Sequence, residues 1–332
     1  MTEKRLTKEW EVSAFDRESN EWTTTMNHAY EAIPEIPGFI NQAAPTRITP
    51  SRRKQPTRGD TLSVFFPDAQ IPFHDEKAVE AAHTAVRELQ PDNIIMLGDM
   101  LDLPAQSSFD TRPEYHGVLQ QAIDRYHTML AQVRADSPNA NIYALTGNHE
   151  ARMQKDIIKN NAELLGIKRA NAQKELGVLT LDFLLRTEEL EVNIIGGYPS
   201  GTLWLEDNIR VIHGTTSNSR GSTSASYLNQ DPHTSVVHGH SHRAEIQWRT
   251  TPTSTGGIQR FGMSPGTLAQ LDGNVPSHWQ THDDHGSVVQ RVENWQQAVG
   301  VVEHNAVNSN PELAMIHNGV LKLRGKTYDR TQ

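Results

Sequence analysis

The sequence predicts an α/β protein with two β-sheets, and three observations carry this prediction. Between residues 61 and 145, short apolar runs alternate with segments of helical periodicity, which is the pattern of parallel strands joined by crossover helices. After about residue 192, short strands follow one another without long helices, which predicts a second, antiparallel sheet. The length of 332 residues allows two or three small domains or one large domain with extensions, and the chain contains no internal repeat.

The first half of the chain reads as strand, helix, strand, helix, strand. Residues 62–67, 93–97 and 141–145 are apolar and β-prone, and residues 75–89 and 114–133 repeat their apolar positions near a period of 3.6. Residues 151–190 are expected to be mostly helical. The strands predicted for the second sheet are 192–195, 202–206, 209–213, 234–238, 245–248, 258–262, 298–304, 312–317 and 320–323.

Three regions follow from this pattern. Residues 1–60 are polar and interrupted by prolines, and residues 47–58 are also basic. We expect an arm or linker there, with a docking arm for nucleic acid or a partner as the alternative. Residues 61–305 are expected to form the main domain, and residues 306–332 to add C-terminal strands and a tail that pack on it.

Composition excludes several classes of protein. There is no cysteine, so disulfides, thiolate metal sites and a catalytic thiol are impossible, whereas 16 histidines are present and cluster. The net charge of −9 argues against a globally basic nucleic-acid coat. No apolar stretch is long enough for a membrane helix, and the charged N-terminus does not read as a secretion signal. We therefore expect a cytoplasmic protein with no membrane partner.

Polar side chains follow five of the predicted strands, at the point where each strand ends. Ligands of α/β sheets bind outside the carboxyl ends of the strands, so these side chains are expected to meet. One carboxylate can bridge two ions, and imidazole, amide and carboxylate groups together offer three or four ligands to each ion with positions left for water and substrate. The seven candidate metal ligands are Asp68, Gln70, Asp99, Asn148, His213, His240 and His242.

These motifs run in a characteristic order: Asp68-x-Gln70, Gly98-Asp99-x-x-Asp102, Gly147-Asn148-His149-Glu150, His213 and Gly239-His240-x-His242. The series resembles the calcineurin-like metallophosphoesterase superfamily over about residues 61–305. The resemblance implies a four-layer α/β/β/α sandwich of two mixed sheets and a hydrolase that uses a hydroxide activated by two metal ions. Residues 263–267 resemble a turn of that superfamily. Residues 292–297 are similar to a segment in nuclease-like phosphoesterases of tailed bacteriophages and their hosts, which implies a bacterial or phage-infected cytoplasm.

The resemblance also implies a role for each site residue. Asp68, Gln70, Asp99 and His242 would hold one ion, and Asp99, Asn148, His213 and His240 would hold the second. His149 would be the general acid that protonates the leaving oxygen, and Asp102 would orient it.

Gln70 departs from the family pattern, because histidine usually stands at this position. An amide oxygen is a harder and weaker ligand than imidazole. We therefore expect a weaker first site that favours Mn²⁺ or Mg²⁺ over Zn²⁺. For the two ions together we expect Mn²⁺, with Mg²⁺, Fe²⁺, Zn²⁺ or Ni²⁺ as alternatives. His74 and Asp75 are candidate substitutes for the missing histidine.

Several other residues have two interpretations. Arg152 and Arg220 are candidate phosphate contacts or surface residues, and His238 is expected to be buried. The run His282–His285 forms a loop, a pocket rim or an extra metal site. The Gly262-x-Ser264-x-Gly266 pattern of serine hydrolases fails, because Pro265 lacks the N–H group that an oxyanion hole requires there.

The predicted function is metal-dependent hydrolysis of a phosphodiester, with DNA or RNA as possible substrates. Protein phosphatases of the superfamily carry an arginine directly after the second aspartate, where this chain has Leu103. Their clamp for a dianionic phosphate is therefore missing. The alternatives are a phosphomonoesterase, acting on nucleotides or proteins, and a metal-binding module with weak activity.

Overall fold

The computed structural model describes residues 4–16, 21–32, 59–107, 117–172, 175–276, 281–282, 288–289 and 293–329. The chain divides into two compact units, Met1–Asn41 and Gln42–Gln332. In the first unit, strand β1 (Lys4–Asp16) pairs antiparallel with β2 (Glu21–Ala32), within the region expected to be an arm or linker. The basic residues 47–58 lie outside the described residues.

The second unit alternates strands and helices and then becomes rich in strands. Its elements in chain order are β3 (Thr61–Phe66), α1 (Glu76–Leu89), β4 (Asn93–Met96), α2 (Leu119–Asp136), β5 (Asn141–Leu145), α3 (Glu150–Asn160), α4 (Leu181–Leu184), α5 (Thr187–Leu190), β6 (Val192–Ile195), β7 (Thr202–Leu205), β8 (Ile209–Ile212), α6 (Thr223–Gln230), β9 (Ser235–His238), β10 (Ala244–Thr253), β11 (Gly256–Pro265), β12 (Thr281–His282), β13 (Val288–Val289), β14 (Ala298–His304), β15 (Ser309–His317), β16 (Val320–Leu323) and β17 (Lys326–Tyr328).

The first sheet has eight strands in the order β17-β16-β15-β14-β3-β4-β5-β6. Strands β3 to β6 are parallel, and β14 to β17 continue the sheet antiparallel beyond β3. The second sheet has the order β10-β11-β9-β8-β7. Its central strands β8, β9 and β11 are parallel and its edge strands are antiparallel, so both sheets are mixed.

The burial pattern defines the layers. Alternate residues of the first sheet point in opposite directions. Val64 and Phe66 pack with α1 and α2 in one apolar core. Phe65, between them, joins a second core that includes Val211 and Phe261 of the other sheet. Helix α6 contacts β9, β10 and β11. The architecture is therefore the predicted sandwich of two mixed sheets with helices outside.

The sequence pattern assigned some strands to the wrong sheet. The strand at 192–195 was expected in the second sheet but pairs with β5 in the first, and the strands from 298 onward also extend the first sheet. An apolar run reports that a strand is buried but carries no information about which neighbour it pairs with. Residues 263–265, expected in a turn, continue β11, and the chain leaves the strand at Gly266 with a φ of 91°.

Helix boundaries also differ from those expected. The second predicted helix, 114–133, corresponds to α2, which begins at Leu119 and ends at Asp136. Residues 114–116 lie outside the described residues. The described residues of the region 151–190 form three helices, one 3-10 turn at Ala162–Leu164 and irregular segments, so this part is less helical than predicted. No helix in the described part of the chain is long and apolar enough to cross a membrane.

Candidate metal centre

The polar residues at the five strand ends lie together where the two sheets meet. Strands β3, β4 and β5 of the first sheet lead directly into Asp68, Asp99 and Asn148. Strands β8 and β9 of the second sheet lead into His213 and His240. Because these strands are parallel within each sheet, their carboxyl ends deliver all five side chains to one site.

Glycines allow the loops of this site to approach closely. A Cβ atom on Gly147 would overlap the carboxylate of Asp99, and one on Gly239 would lie 2.5 Å from Oδ1 of Asp68. Real side chains do not tolerate either contact, so Gly147 and Gly239 are required by space rather than by backbone conformation.

Two groups of potential metal ligands share one carboxylate. The ligand atoms of Asp99, His213 and His240 lie within 4.8 Å of one another, and so do those of Asp68, Asp99 and His242. These two groups divide the candidate residues as the family resemblance implies. Buried oxygen and nitrogen donors at this spacing fit a divalent cation.

Asn148 completes the group around His213. Its Oδ1 lies 3.1 Å from Nε2 of His213 and 2.8 Å from Nδ1 of His240. One amide oxygen therefore faces the same space as two imidazole nitrogens, which is the position of an additional ligand to the same cation.

Gln70 lies beside the other group. Its Nε2 is 3.5 Å from Nε2 of His242, which in turn is 3.1 Å from Oδ2 of Asp68. The Oε1 atom of Gln70 is buried and has no hydrogen-bond partner among the described residues. Rotating the amide by 180° exchanges its oxygen and nitrogen, which brings Oε1 next to His242 without moving the carbon skeleton. A cation at this position would satisfy the oxygen.

Buried negative charge controls the protonation of the histidines. Burial lowers the pKa of His213, but the carboxylates of Asp99 and Asp68 outweigh it and raise the pKa to about 10. Burial and the neighbouring charge of His213 lower the pKa of His240 to about 4. The pKa of Asp99 lies far below its ordinary value, because the charges of His149 and His213 outweigh burial. The site therefore attracts positive charge strongly.

His149 stands at the edge of this cluster. Its Nε2 lies 3.7 Å from Oδ2 of Asp99. Its Nδ1 lies 2.8 Å from both the carbonyl oxygen and Oδ1 of Asp102, and the N–H is directed to the carbonyl. Burial lowers the pKa of His149, but Asp99 and Asp102 together raise it above its ordinary value. The side chain of Asp102 therefore helps to raise the pKa of His149 through its proximity and its charge, and the backbone carbonyl of Asp102 holds the ring orientation.

Arg152 projects from the first turn of α3 toward the same histidine. Its guanidinium donates hydrogen bonds to the carbonyl oxygen of Asp102 at 2.8 Å and to Nε2 of His149 at 2.9 Å. The second bond requires an unprotonated Nε2. Arg220 is exposed in the loop after β8, and neither arginine is among the residues that line the pocket described below.

Glu150 has a role that the sequence analysis did not assign. Its buried carboxylate accepts hydrogen bonds from the backbone N–H groups of Asp99 at 2.9 Å, Leu101 at 2.8 Å and Gly147 at 2.8 Å. It therefore ties the loop after β4 to the loop after β5. Burial and the charge of Asp99 raise its pKa.

An open pocket of about 350 Å³ lies above the metal-ligand cluster. Trp295 borders it, and the indole lies against the imidazole of His242 with ring centroids 4.1 Å apart. The sequence analysis singled out the segment 292–297 that contains Trp295 but assigned no role to the tryptophan itself. The residues that line the pocket are Asp99, Asn148, His149, Ser217, His240, Ser241, His242, Glu293 and Trp295.

The predicted substitutes for Gln70 do not reach the cluster. Nε2 of His74 lies 3.0 Å from both Oε1 of Glu76 and Nε of Arg125. Asp75 caps the N-terminus of α1, where its side chain accepts hydrogen bonds from backbone N–H groups of the first turn. The prediction that His74 or Asp75 replaces the missing ligand was wrong, because both side chains form hydrogen bonds at the start of α1 and with Arg125.

Other predicted features have structural roles. His238 is fully buried, and its Nε2 lies 2.9 Å from Oγ of Ser224 in α6. Ser264 is buried as well, 3.2 Å from Oγ of Ser241, so it is no exposed nucleophile. The side chains of the cluster His282, Asp283, Asp284 and His285 lie outside the described residues.

Comparisons with known proteins give distant matches. No family model matches the chain. It is 25% identical over 273 residues to the Gene 54 protein of Mycobacterium phage D29, which covers 80% of this chain and 98% of that protein. The Gene 54 protein of Mycobacterium phage L5 is 24% identical over 283 residues, with the same coverage.

Solved structures match over most of the chain at low identity. Vacuolar protein sorting 29 from Cryptosporidium parvum is 11% identical, with a TM-score of 0.35, and covers 82% of this chain and 99% of its own. The phosphoesterase YfcE from E. coli is 12% identical, with a TM-score of 0.30, and covers 69% of this chain and 97% of its own.

The strand order and the two ligand groups that share Asp99 give a sandwich of two mixed sheets with a buried candidate metal site, which is the arrangement that the resemblance to calcineurin-like metallophosphoesterases implies. In sequence the chain is distantly similar to the Gene 54 proteins of two mycobacteriophages.

Proposed function

We propose that this protein is a metal-dependent phosphodiesterase. The observation that carries the proposal is the position of His149 beside the carboxylate that two ligand groups share, with its Nε2 3.7 Å from Oδ2 of Asp99. A proton donor next to a cation site is what hydrolysis of an ester with an alkoxide leaving group requires.

The seven candidate ligands would hold two divalent cations, and we propose Mn²⁺ for both. The donors are carboxylate, amide and imidazole groups without thiolate, which suits a cation of intermediate hardness. Bound there, the cations would supply positive charge to the phosphoryl oxygens and lower the pKa of water to roughly 7.

His149 supplies the proton in the proposed reaction. Water loses one proton to the solvent, the resulting hydroxide oxygen attacks phosphorus, and the bond between phosphorus and the leaving oxygen breaks. Nε2 of His149 donates its proton to the leaving oxygen and regains a proton from the solvent after the reaction. The products are a phosphomonoester and an alcohol. Asp102 keeps the acid form accessible, because its charge helps to raise the pKa of His149.

Arg152 links this proton donor to substrate binding. It donates to Nε2 of His149 at 2.9 Å, and a protonated Nε2 cannot accept that bond. The acid form therefore requires the guanidinium to turn to another acceptor. A non-bridging phosphate oxygen is such an acceptor, so we propose that Arg152 contacts phosphate when substrate binds.

The small number of cationic side chains near the site supports a diester over a monoester. The described lining of the pocket contains no lysine or arginine, so Arg152 is the only guanidinium that we propose to reach the phosphate. Leu103, which stands where protein phosphatases carry an arginine, is buried and contributes no charge.

We propose nucleic acid or a smaller nucleotide diester as the substrate, in the cytoplasm of a phage-infected bacterium. The location is supported by the phage origin of the sequence relatives. The basic residues 52–54 and Arg58 support a polymer, since they can contact its phosphates.

The test is the ratio of the rates of hydrolysis of bis-p-nitrophenyl phosphate and p-nitrophenyl phosphate with Mn²⁺. We expect a ratio well above one, and activity lost in Asp99→Asn. Asp124→Asn, the same chemical change at an exposed position of α2, is the matched control and retains full activity. A ratio well below one would identify a phosphomonoesterase instead. Mn²⁺ binding without hydrolysis of either ester would support a metal-binding module.

A further inference from the structure

Trp295 occupies a distinctive position at the mouth of the pocket. It is half-buried and borders the open volume that also reaches Asp99 and His149. Its indole meets the imidazole of His242 at an interplanar angle of 80°. The two rings therefore touch edge to face, and the tryptophan places a large aromatic side chain directly beside a candidate metal ligand.

The backbone around Trp295 is anchored to the site. The N–H of Trp295 donates to the carbonyl of Glu293 at 2.9 Å, and the N–H of Gln296 donates to the carbonyl of His242 at 3.1 Å. The carbonyl of Gln296 accepts from the N–H of Thr267 at 2.9 Å. These bonds hold the indole at a defined position before any ligand arrives, which lowers the entropic cost of binding.

The pocket combines this aromatic wall with polar groups. Its volume of about 350 Å³ lies at the low end of ligand pockets, so it suits one nucleoside unit rather than several. Glu293 is a hydrogen-bond acceptor at the same rim, which favours sugar hydroxyl and base amino groups over a second phosphate. Metal ligands at the base and an aromatic side chain at the rim match a phosphate joined to a planar base.

We propose that the pocket binds a nucleoside phosphodiester, with the phosphate at the metal-ligand cluster and the base stacked on Trp295. This inference rests on the proposed phosphodiesterase function and names its substrate class. Stacking on an aromatic side chain tolerates any base, so Trp295 selects nucleosides without selecting a sequence.

Binding of two phosphomonoesters tests the proposal without requiring turnover. Thymidine 5′-monophosphate and methyl phosphate differ only in the nucleoside, and calorimetry on the full Mn²⁺-loaded chain gives both dissociation constants. We expect the nucleotide to bind on the order of tenfold more tightly. Trp295→Leu should remove most of this preference and change methyl phosphate binding by less than about twofold. Trp295→Phe should retain most of it, because the ring is preserved.

Trp248→Leu is the matched control, since Trp248 is an exposed tryptophan of β10. It should leave both dissociation constants unchanged, and thermal unfolding checks that each variant folds. Equal weakening of both ligands in Trp295→Leu would mean that Trp295 only positions His242 and would overturn the proposal. Equal affinity of the two ligands in the unaltered protein would overturn it as well.

The outcome can be separated from that of the proposed function. A nucleotide preference that depends on Trp295, in a protein without diesterase activity, would support the base site and contradict the proposed reaction. In a protein that has diesterase activity, the values of kcat/KM for a dinucleotide and a short single strand identify the source of the nucleoside. If Trp295→Leu lowers kcat/KM for the dinucleotide alone, the substrate is a small diester. If it lowers kcat/KM for both, the substrate is nucleic acid.

Discussion

At the residue scale, the candidate ligands occupy unusual backbone conformations. Gln70, Asp99, His240 and His242 have φ angles of 54°, 49°, 66° and 54°, in the left-handed region that side chains other than glycine rarely adopt. Such conformations cost of order 1–3 kcal/mol each and persist where the surroundings hold them. For Asp99 the surroundings are clear, because Glu150 accepts its N–H.

Glu150→Gln tests this restraint. The amide retains one acceptor oxygen and turns an NH₂ group toward backbone N–H groups, so we expect the unfolding free energy to fall by about 1–3 kcal/mol. Mn²⁺ binding should weaken in parallel, because the loop that carries Asp99 loosens. Urea unfolding and calorimetry measure the two effects. Glu163→Gln, at an exposed position, is the control. Unchanged Mn²⁺ affinity in Glu150→Gln would show that the Asp99 loop needs no such restraint.

Gln70→His restores the residue type usual for the family. Imidazole is a stronger ligand than an amide for Mn²⁺ and Zn²⁺, so we expect the weaker of the two metal-binding steps to tighten by about tenfold or more. Calorimetric titration with each cation measures this change, and Gln70→Ala should weaken the same step. Identical titrations for all three proteins would exclude Gln70 as a ligand.

His149→Ala separates the proton donor from the metal ligands. Loss of a general acid typically costs 10²–10⁴-fold in rate when the leaving group needs a proton. We expect a loss of this size for a dinucleotide and a much smaller loss for bis-p-nitrophenyl phosphate, whose leaving group is stable as an anion. Mn²⁺ affinity should be retained. An equal loss for both substrates would contradict the role of His149 as an acid.

At the scale of secondary-structure elements, a buried ion pair joins α1 to α2. Asp136 accepts from Nδ1 of His83 at 2.9 Å, from Arg87 at 3.1 Å and from Gln132 at 2.9 Å. Burial raises the pKa of Asp136, but the hydrogen bonds from His83 and Gln132 outweigh it and hold the pKa below its ordinary value. The pair therefore stabilises the fold only while Asp136 is ionised.

This contribution predicts a dependence of stability on pH. A lowered carboxyl pKa adds stability that is fully present above the unfolded value of about 4 and is lost as the pH falls through the folded value. Asp136→Asn should reduce the unfolding free energy at neutral pH and flatten its decline below about pH 4. Urea unfolding across this range measures both effects, with Asp124→Asn as the control. A parallel decline in both variants would mean that Asp136 contributes no pH dependence.

The sequence predicted the elements that carry the site better than the sheet to which each strand belongs. Parallel strands place their carboxyl ends at one edge, so motif order alone brought Asp99, Asn148 and His213 to a common place. The predicted sheet was wrong for the strand at 192–195 and for the strands from 298 onward, because packing across the whole fold decides which strands pair. Glu150 and Trp295 lie in segments that the motifs singled out, but their roles were not predicted, because the contacts that define those roles form between distant loops.

At the scale of the whole molecule, both apolar cores are built from residues after position 61. Removing residues 1–58 should therefore leave the urea midpoint and the kcat/KM for a small diester unchanged. Urea unfolding and steady-state kinetics of the two chains measure this. A lower midpoint would show that the N-terminal unit supports the fold.

The rates of hydrolysis of single-stranded DNA by the full chain and the shortened chain, measured at two salt concentrations, distinguish the two interpretations of the basic residues 47–58. Equal rates identify a linker, and a salt-sensitive loss identifies a docking arm.

The place of β14 in the first sheet has a consequence for biosynthesis. Strand β3 lies between β4, which follows it closely in the chain, and β14, which begins only at Ala298. At about 5–20 residues per second, translation leaves the outer edge of β3 without its partner for tens of seconds. An unpaired strand edge is a template for intermolecular pairing. A nascent chain therefore exposes an aggregation-prone edge until the ribosome has delivered β14, and a premature stop codon before Ala298 would leave that edge exposed permanently.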